Sequence, residues 1–512
     1  MKPQSLVRNI MTVGGWTLIS RGTGFARDVM MAAYLGTGPV AEAFLIAFSL
    51  PNMFRRFFAE GAFNMAFVPM FAKKLEGGED AEGFARDAWN GMVTLLLVFT
   101  VIGTLAMPWL VWAMASGFSG ERFDLAVTFG QISFSYILFI SLVALLSGIL
   151  TTHGRFSEAS FVPVLMNLVF IAAMGLAVWA GWDMGLTLSW TVPVTGVAQL
   201  AFTWVSARKI GYTFTFGLPR WTADLARLAL IAGPAVLAGG VVQINLLVGR
   251  QVASFTEGAV AWLSYADRLY QLPLGVVGIA IGTVLLPDLS RRLRAGDAEG
   301  GRASFNRGAE FALAMTLPAA VALAVLAEPL CSVLYQRGAF TDQDTQATAL
   351  VLAIYGVGLP AFVLHKVLQP LFYAREDSRS PFRFAVVSMI INAVMAVGML
   401  PYLGFSAAAW ATTLSGWVMV AQLWRGSRRM GPEARFDTRF MQRLPRIVAA
   451  CVLMGAVLWA AAWALTPALH LPLWRYFALT ALCALGIAAY FGAGTALGAF
   501  KLKDFAALRR RA

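Results

Sequence analysis

Residues 384–424 read FAVVSMIINAVMAVGMLPYLGFSAAAWATTLSGWVMVAQLW, forty-one positions without one charged side chain. A single helix of that length would overshoot a hydrocarbon core of roughly 30 Å about twofold, whereas two helices of about twenty residues each match it. Pro401-Tyr402-Leu403-Gly404 punctuates the run near its middle, so it reads as two spans joined by a tight turn. Spanning β-strands would alternate apolar and polar residues instead, and this run does not alternate.

The rest of the chain extends this reading. Hydrophobic residues make up 59% of the 512 and charged ones only 13%, far from the usual composition of a soluble domain. The fold class expected is an all-α polytopic membrane protein with fourteen transmembrane helices. The spans fall at about 9–35, 43–70, 92–115, 125–152, 159–182, 184–207, 228–249, 259–287, 311–335, 345–372, 384–402, 404–424, 447–467 and 476–500. Forty Lys and Arg residues orient them. With the N-terminus cytoplasmic, thirty lie in inside loops and tails and three outside, Arg122, Arg337 and Arg475. Both termini are therefore expected on the cytoplasmic side. The net charge of +13 is mostly this topological signal, with attraction to membrane lipids added, and implies no nucleic-acid partner. No cleavable signal peptide is expected, because Arg21 interrupts the first apolar stretch. Cys331, Cys451 and Cys483 lie far apart in apolar sequence and read as small packing residues.

An internal repeat is visible. VPMFAKKL at 68–75 and LPDLSRRL at 286–293 share a hydrophobic-Pro step, two basic residues and a final Leu, 218 positions apart. LTTHGRFSEASF at 150–161 and FYAREDSRSPFR at 372–383 echo each other at a separation of 222. Residues 1–210 and 221–430 are thus expected to be two six-helix lobes, related by an axis along the membrane normal because an even number of spans keeps its orientation. Residues 441–512 hold the two extra spans and a cytoplasmic tail. The linker before them, 425–446, carries seven arginines and reads as a solvated, lipid-facing loop.

The candidate site residues are charges that ought not to be in hydrocarbon. SRGTGFARD at 20–28 places Arg21, Arg27 and Asp28 inside the first span, where Arg21 and Asp28, seven apart, share a helix face. Glu42 opens the second span, which carries Arg55, Arg56 and Glu60 further on, the last two spaced for an i, i+4 pair beyond a bend at Pro51. Asp267 and Arg268 lie in span eight, and His365 and Lys366 in span ten. Each Arg at the centre of a membrane helix costs about 2.5–3.5 kcal/mol unless it faces water or a partner. Helix-end snorkelling covers Arg56, Arg250 and Arg27. Arg21, Arg55 and Arg268 lie deeper and suggest an anion-binding cavity, suited to phosphate, with structural ion pairing as the plainer reading. Lys366 is a candidate for gating or ion coupling, and His365 reads as a packed histidine. No phosphate-binding P-loop, zinc-protease helix or serine-hydrolase elbow occurs, and only three histidines exist. The chain is read as a transporter rather than an enzyme, with no cofactor and no metal.

SRGTGFARDVMMAAYLG, LPNMFRRFFAEGAFNMAFVPMFA, YADRLYQLPLGVVGIAIGTVLLPDLS and FYAREDSRSP, followed in order by the C-terminal GAFKLKDF, resemble the MurJ (MviN) family of lipid II flippases. The resemblance implies the multidrug/oligosaccharidyl-lipid/polysaccharide exporter fold, with a central cavity between two lobes. It implies lipid II, the undecaprenyl-diphosphate-linked peptidoglycan precursor, as cargo moved to the periplasmic leaflet by alternating access, and cell-wall synthases as candidate partners. It places substrate binding on Arg21, Arg27, Arg55 and Arg268, with Asp28 and Asp267 as neighbouring acids. Glu42 stands where the family usually has Asp. The last two spans would form a groove for the polyprenyl tail. The competing readings are an exporter of the same fold carrying a drug or an O-antigen lipid, and a cell-wall protein that binds the precursor without moving it.

Overall fold

The computed structural model describes residues 3–55, 62–215 and 217–500, and all regular structure among them is helical. The first ten helices are α1 (Pro3–Leu35), α2 (Pro39–Arg55), α3 (Ala62–Glu76), α4 (Ala81–Leu105), α5 (Met107–Met114), α6 (Glu121–Ser133), α7 (Tyr136–Thr152), α8 (Phe156–Ala180), α9 (Met184–Arg208) and α10 (Ala223–Ala253). The rest are α11 (Ala259–Arg294), α12 (Ala298–Val325), α13 (Ala327–Tyr335), α14 (Asp342–Tyr373), α15 (Arg379–Leu403), α16 (Ser406–Ser427), α17 (Thr438–Leu469) and α18 (Trp474–Ala496). Apart from 43–70, part of which lies outside the described residues, the expected stretches lie on one of these helices or on a consecutive pair. Among the described residues, eight helical segments are long and apolar enough to cross a membrane by length and composition. The uncharged run 384–424 divides where expected, α15 ending at Leu403 and α16 beginning at Ser406 around Gly404 at φ 53°.

The helices start where their caps dictate. Asp80 and Asp297 each accept a first-turn amide, from Gly83 and Gly300. A Cβ on either glycine would fall about 2 Å from the capping carboxylate, so the tetrapeptide Asp-Ala-Glu-Gly, present at both 80–83 and 297–300, is a cap and its matching gap. Asp183, Thr222 and Asp437 cap α9, α10 and α17, and Thr341 with Asp344 forms a reciprocal capping box on α14.

The two halves carry their left-handed residues in register. Gly36, Gly78, Gly120, Gly154, Gly181 and Gly211 have positive φ, and so do Gly258, Gly296, Gly338, Glu376, Gly404 and Gly431, each 218 to 223 positions further on. Six positive-φ positions of one half thus have a counterpart in the other, and glycine holds all but one of the twelve.

Contacts divide the chain into two compact units, one of residues 1–261 with 337–340, the other of 262–336 with 341–512. In the first unit α1 packs on α8, α2 on α6, α9 on both α7 and α8, and α10 on α3. Gln251 and Ser254 fix the end of α10 there: the Gln251 carbonyl accepts from Ser116 N–H and Oγ at 2.7 and 2.8 Å, its amide donates to Ala113 O at 2.7 Å, and Ser254 Oγ accepts from Gly117 N–H at 3.0 Å. Residues 337–340 join this unit because Ala339 N–H donates to Ala33 O at 2.8 Å. The contact boundary therefore falls at the start of α11, some forty residues beyond the boundary expected from the repeat.

In the second unit α14 packs on α12 and α16, α15 on α16, and α17 on α12 and α18. The arginine-rich linker departs from the expected solvated loop. Glu310 of α12 pairs with Arg307, Arg439 and Arg443, and Asp437 also pairs with Arg307. Asn306 and Arg302 donate to the carbonyls of Arg435 and Phe436 at 2.8–3.2 Å, and Asp437 N–H returns a bond to Asn306 Oδ1 at 2.9 Å. Arg443 is buried, 9% exposed, because a carboxylate waits for it on the neighbouring helix. Cys331 and Cys451 are buried free thiols and Cys483 an exposed one.

Candidate functional site

Within α1 the opening charges are held in two different ways. Arg27 and Asp28 are 7% and 8% exposed. Arg27 donates from Nε and Nη2 to Asp28 Oδ1 at 3.1 and 2.8 Å, and its guanidinium lies 5.5 Å from the centroid of the Phe170 ring of α8. Asp28 therefore takes its neighbour rather than Arg21, the residue expected to share its face, since adjacent side chains reach each other without crossing two helical turns. Arg21 is half-buried and has no hydrogen-bond or ion-pair partner among the described residues. Its turn is braced from outside: Asn167 Nδ2 of α8 donates to Ser20 O at 3.0 Å and to Thr23 Oγ1 at 3.2 Å.

Glu42 is fully buried at the start of α2. Its Oε2 accepts from Arg122 Nη1 at 3.1 Å and its Oε1 from the backbone N–H of Val260 at 3.0 Å, in the first turn of α11. Arg122 in turn lies over the Phe118 ring, 4.9 Å from its centroid. The carboxylate so placed meets a cation and the positive end of a helix together. Sequence reading selected Glu42 and missed both partners. Arg122 was nonetheless visible as one of three outside cations, and an outside cation needs an anion if it is to be ordered.

The remaining candidates stand separately. Arg55 is half-buried at the last described turn of α2, while Arg56 and Glu60 lie outside the described residues. Pro51 sits inside α2, which continues through it. In the part of α11 that belongs to the second unit, Asp267 accepts from Gln271 Nε2 one turn on, and Arg268 is exposed. On α14 Lys366 is half-buried with no ion-pair partner among the described residues, and His365 packs edge-on against the Phe362 ring at 6.4 Å. Among the described residues no cluster of His, Cys, Asp or Glu could hold a metal ion.

Charged side chains retained on membrane-length helices, in a chain whose positive-φ positions recur 218 to 223 residues apart, are the mark of a multi-pass, all-α membrane protein of the transporter class. The family model for "Lipid II flippase MurJ" matches residues 31–479. The chain belongs to that family. It is 45% identical over 462 residues to the probable lipid II flippase MurJ of Rhizobium tropici, covering 89% of this chain and 86% of the relative. It is 44% identical to the corresponding protein of Rhizobium meliloti, over 97% of this chain and 95% of the other. Among solved structures it is similar to lipid II flippase MurJ in an inward closed conformation, with a TM-score of 0.78 and 25% identity over 94% of this chain and 98% of that one. An inward-facing multidrug MATE transporter shares the fold, with a TM-score of 0.68 at 13% identity over 80% of this chain and 94% of the other.

Proposed function

We propose that the protein is a lipid II flippase, moving the undecaprenyl-diphosphate-linked peptidoglycan precursor from the cytoplasmic to the periplasmic leaflet of the inner membrane by alternating access. The observation that carries the reading is Arg21, a half-buried guanidinium in the middle of an expected span with no partner among the described residues. Such a cation costs about 2.5–3.5 kcal/mol at a bilayer centre, and a diphosphate offset against it turns that cost into affinity. Arg27, pinned by Asp28, contributes a fixed rather than a mobile cation, and Arg55 and Arg268 supply further positive charge. Lys366 is proposed as a gating or coupling group. Without a nucleotide-binding motif, net movement draws on membrane potential or an ion gradient. The polyprenyl tail runs along α17 and α18, both termini are cytoplasmic, and cell-wall synthases are the partners proposed.

The test is depletion of the host's own flippase with rescue by this chain, scoring lipid-linked precursor exposed on the outer leaflet and the amount of protein in the membrane. Wild type restores exposure; Arg21→Ala, present at equal level, does not; Arg21→Lys restores it in part, since a point charge replaces a bidentate fork. Undiminished exposure with Arg21→Ala would remove the role given to that residue.

A further inference from the structure

We propose that the second unit carries a binding site for an anionic phospholipid of the inner leaflet, separate from the transport residues. A cavity of about 260 Å³ opens between α12, α14, α16 and the start of α17, and every side chain lining it is apolar. Leu313, Leu368 and Phe440 of its lining are buried, and Trp417 and Trp424 are its exposed members. Both tryptophans are more than a third exposed, 38% and 36%, so the cavity reaches the surface along α16. α16 is an expected membrane span, and sideways from it is hydrocarbon.

The lining residues of α16, at 417, 420, 421 and 424, form one face at helical spacing. Continued by four residues, the same face reaches Arg425 and Arg428, at the helix end that the distribution of Lys and Arg places in the cytoplasm. The stripe is thus apolar within the membrane and cationic where the headgroups begin. Arg428 is already positioned: its guanidinium lies 3.8 Å from the centroid of the ring of Trp424, a residue of the cavity lining. Arg425, Arg428 and Arg429 are exposed and have no carboxylate partner among the described residues. Three others of the same linker are engaged, Arg439 and Arg443 by Glu310 and Arg446 by the Gly498 carbonyl. The neighbouring acids thus leave the three at the end of α16 unneutralised.

An apolar slot of this size beside unneutralised guanidinium groups matches one acyl chain below one phosphate. A zwitterionic lipid offers the same chain with its phosphate charge cancelled. The anionic leaflet supplies the complementary species, and each arginine near such a surface is worth roughly fivefold in affinity.

The full chain is reconstituted in phosphatidylcholine vesicles containing phosphatidylglycerol with a photoreactive group in its acyl chain, and labelled residues are mapped by mass spectrometry. Label is expected within 417–424 and 436–444, roughly fivefold or more above the same group carried on phosphatidylcholine. Arg425→Gln with Arg428→Gln brings the two lipids level. Ala421→Phe, which fills the slot, removes label from both segments with the arginines in place. Equal labelling of the wild type by both lipids overturns the proposal, as does label absent from these segments. A photoreactive polyprenyl phosphate that labels them and displaces phosphatidylglycerol also overturns it, by assigning the slot to the carrier lipid.

Discussion

Asn167 Nδ2 sits 3.0 Å from the carbonyl of Ser20 and fastens α8 to the turn of α1 that carries Arg21. Asn167 is only 6% exposed, so its removal leaves buried polar groups on both helices without their bond. Asn167→Ala is expected to cost about 1–3 kcal/mol, read as a lowered unfolding temperature in detergent. It should also reduce outer-leaflet exposure of the precursor, because an unbraced turn presents Arg21 over a wider range of positions.

Glu42 and Arg122 are expected to be coupled. Glu42→Ala strands a guanidinium in a mostly buried setting and should cost about 3–5 kcal/mol. Glu42→Gln keeps the acceptor for Val260 N–H and should cost less. A double-mutant cycle of Glu42→Gln with Arg122→Gln, followed by thermal unfolding, is expected to return about 0.5–3 kcal/mol of coupling. Glu42→Asp is one methylene shorter and is expected to keep one of its two bonds.

Glu376 occupies, at φ 62°, the position that Gly154 fills in the first half at φ 76°. A side chain there costs of order 1–3 kcal/mol of backbone strain. Glu376→Gly should therefore raise the unfolding temperature, and Gly154→Ala should lower it. Equal and opposite shifts would identify the repeated turn, rather than the side chains around it, as the source.

Asp288 lies just past the expected membrane end of α11, where a hydrogen bond from Ser304 at 2.6 Å and the Arg292 guanidinium at 2.8 Å hold its carboxyl below the usual value of 3.8. Asp377 is held low in the same way by Ser380. A carboxyl depressed on folding adds stability that is complete above its unfolded pKa and disappears as pH falls through the folded value. Stability is thus expected to be insensitive to these groups from about pH 5 upward and to fall below about pH 4. Asp288→Asn should flatten that acid limb in unfolding measurements from pH 2 to 6.

What was legible in the sequence follows the range of the interactions. Helices and their breaks are local, so apolar runs and Pro-Gly punctuation located α15 and α16 to within a few residues. The duplication was legible from two basic helix exits. A plainer mark of it, Asp-Ala-Glu-Gly at 80–83 and 297–300, was there to be read as well. The candidate arginines stood out because charge is rare in these spans. The brace beside Arg21 did not, because Asn167 lies 147 residues from Ser20 and donates to a carbonyl, and carbonyls leave no trace in residue type. The docked linker was hidden for the same reason: Arg302 and Asn306 hold it largely by main-chain atoms more than 120 residues away.

Because Glu42 binds α11 through the amide of Val260 and not through its side chain, the two ends of this contact face different evolutionary constraints. Position 260 can change its side chain without losing this bond, while position 42 must remain an acid of adequate reach. Val260→Ala would leave the bond in place and report only the loss of a buried side chain, and no covariation between 42 and 260 would accumulate in a collection of relatives. Only proline, which the first turn of a helix tolerates but which has no N–H to give, exposes the dependence. Here is a contact that genetics sees from one side only.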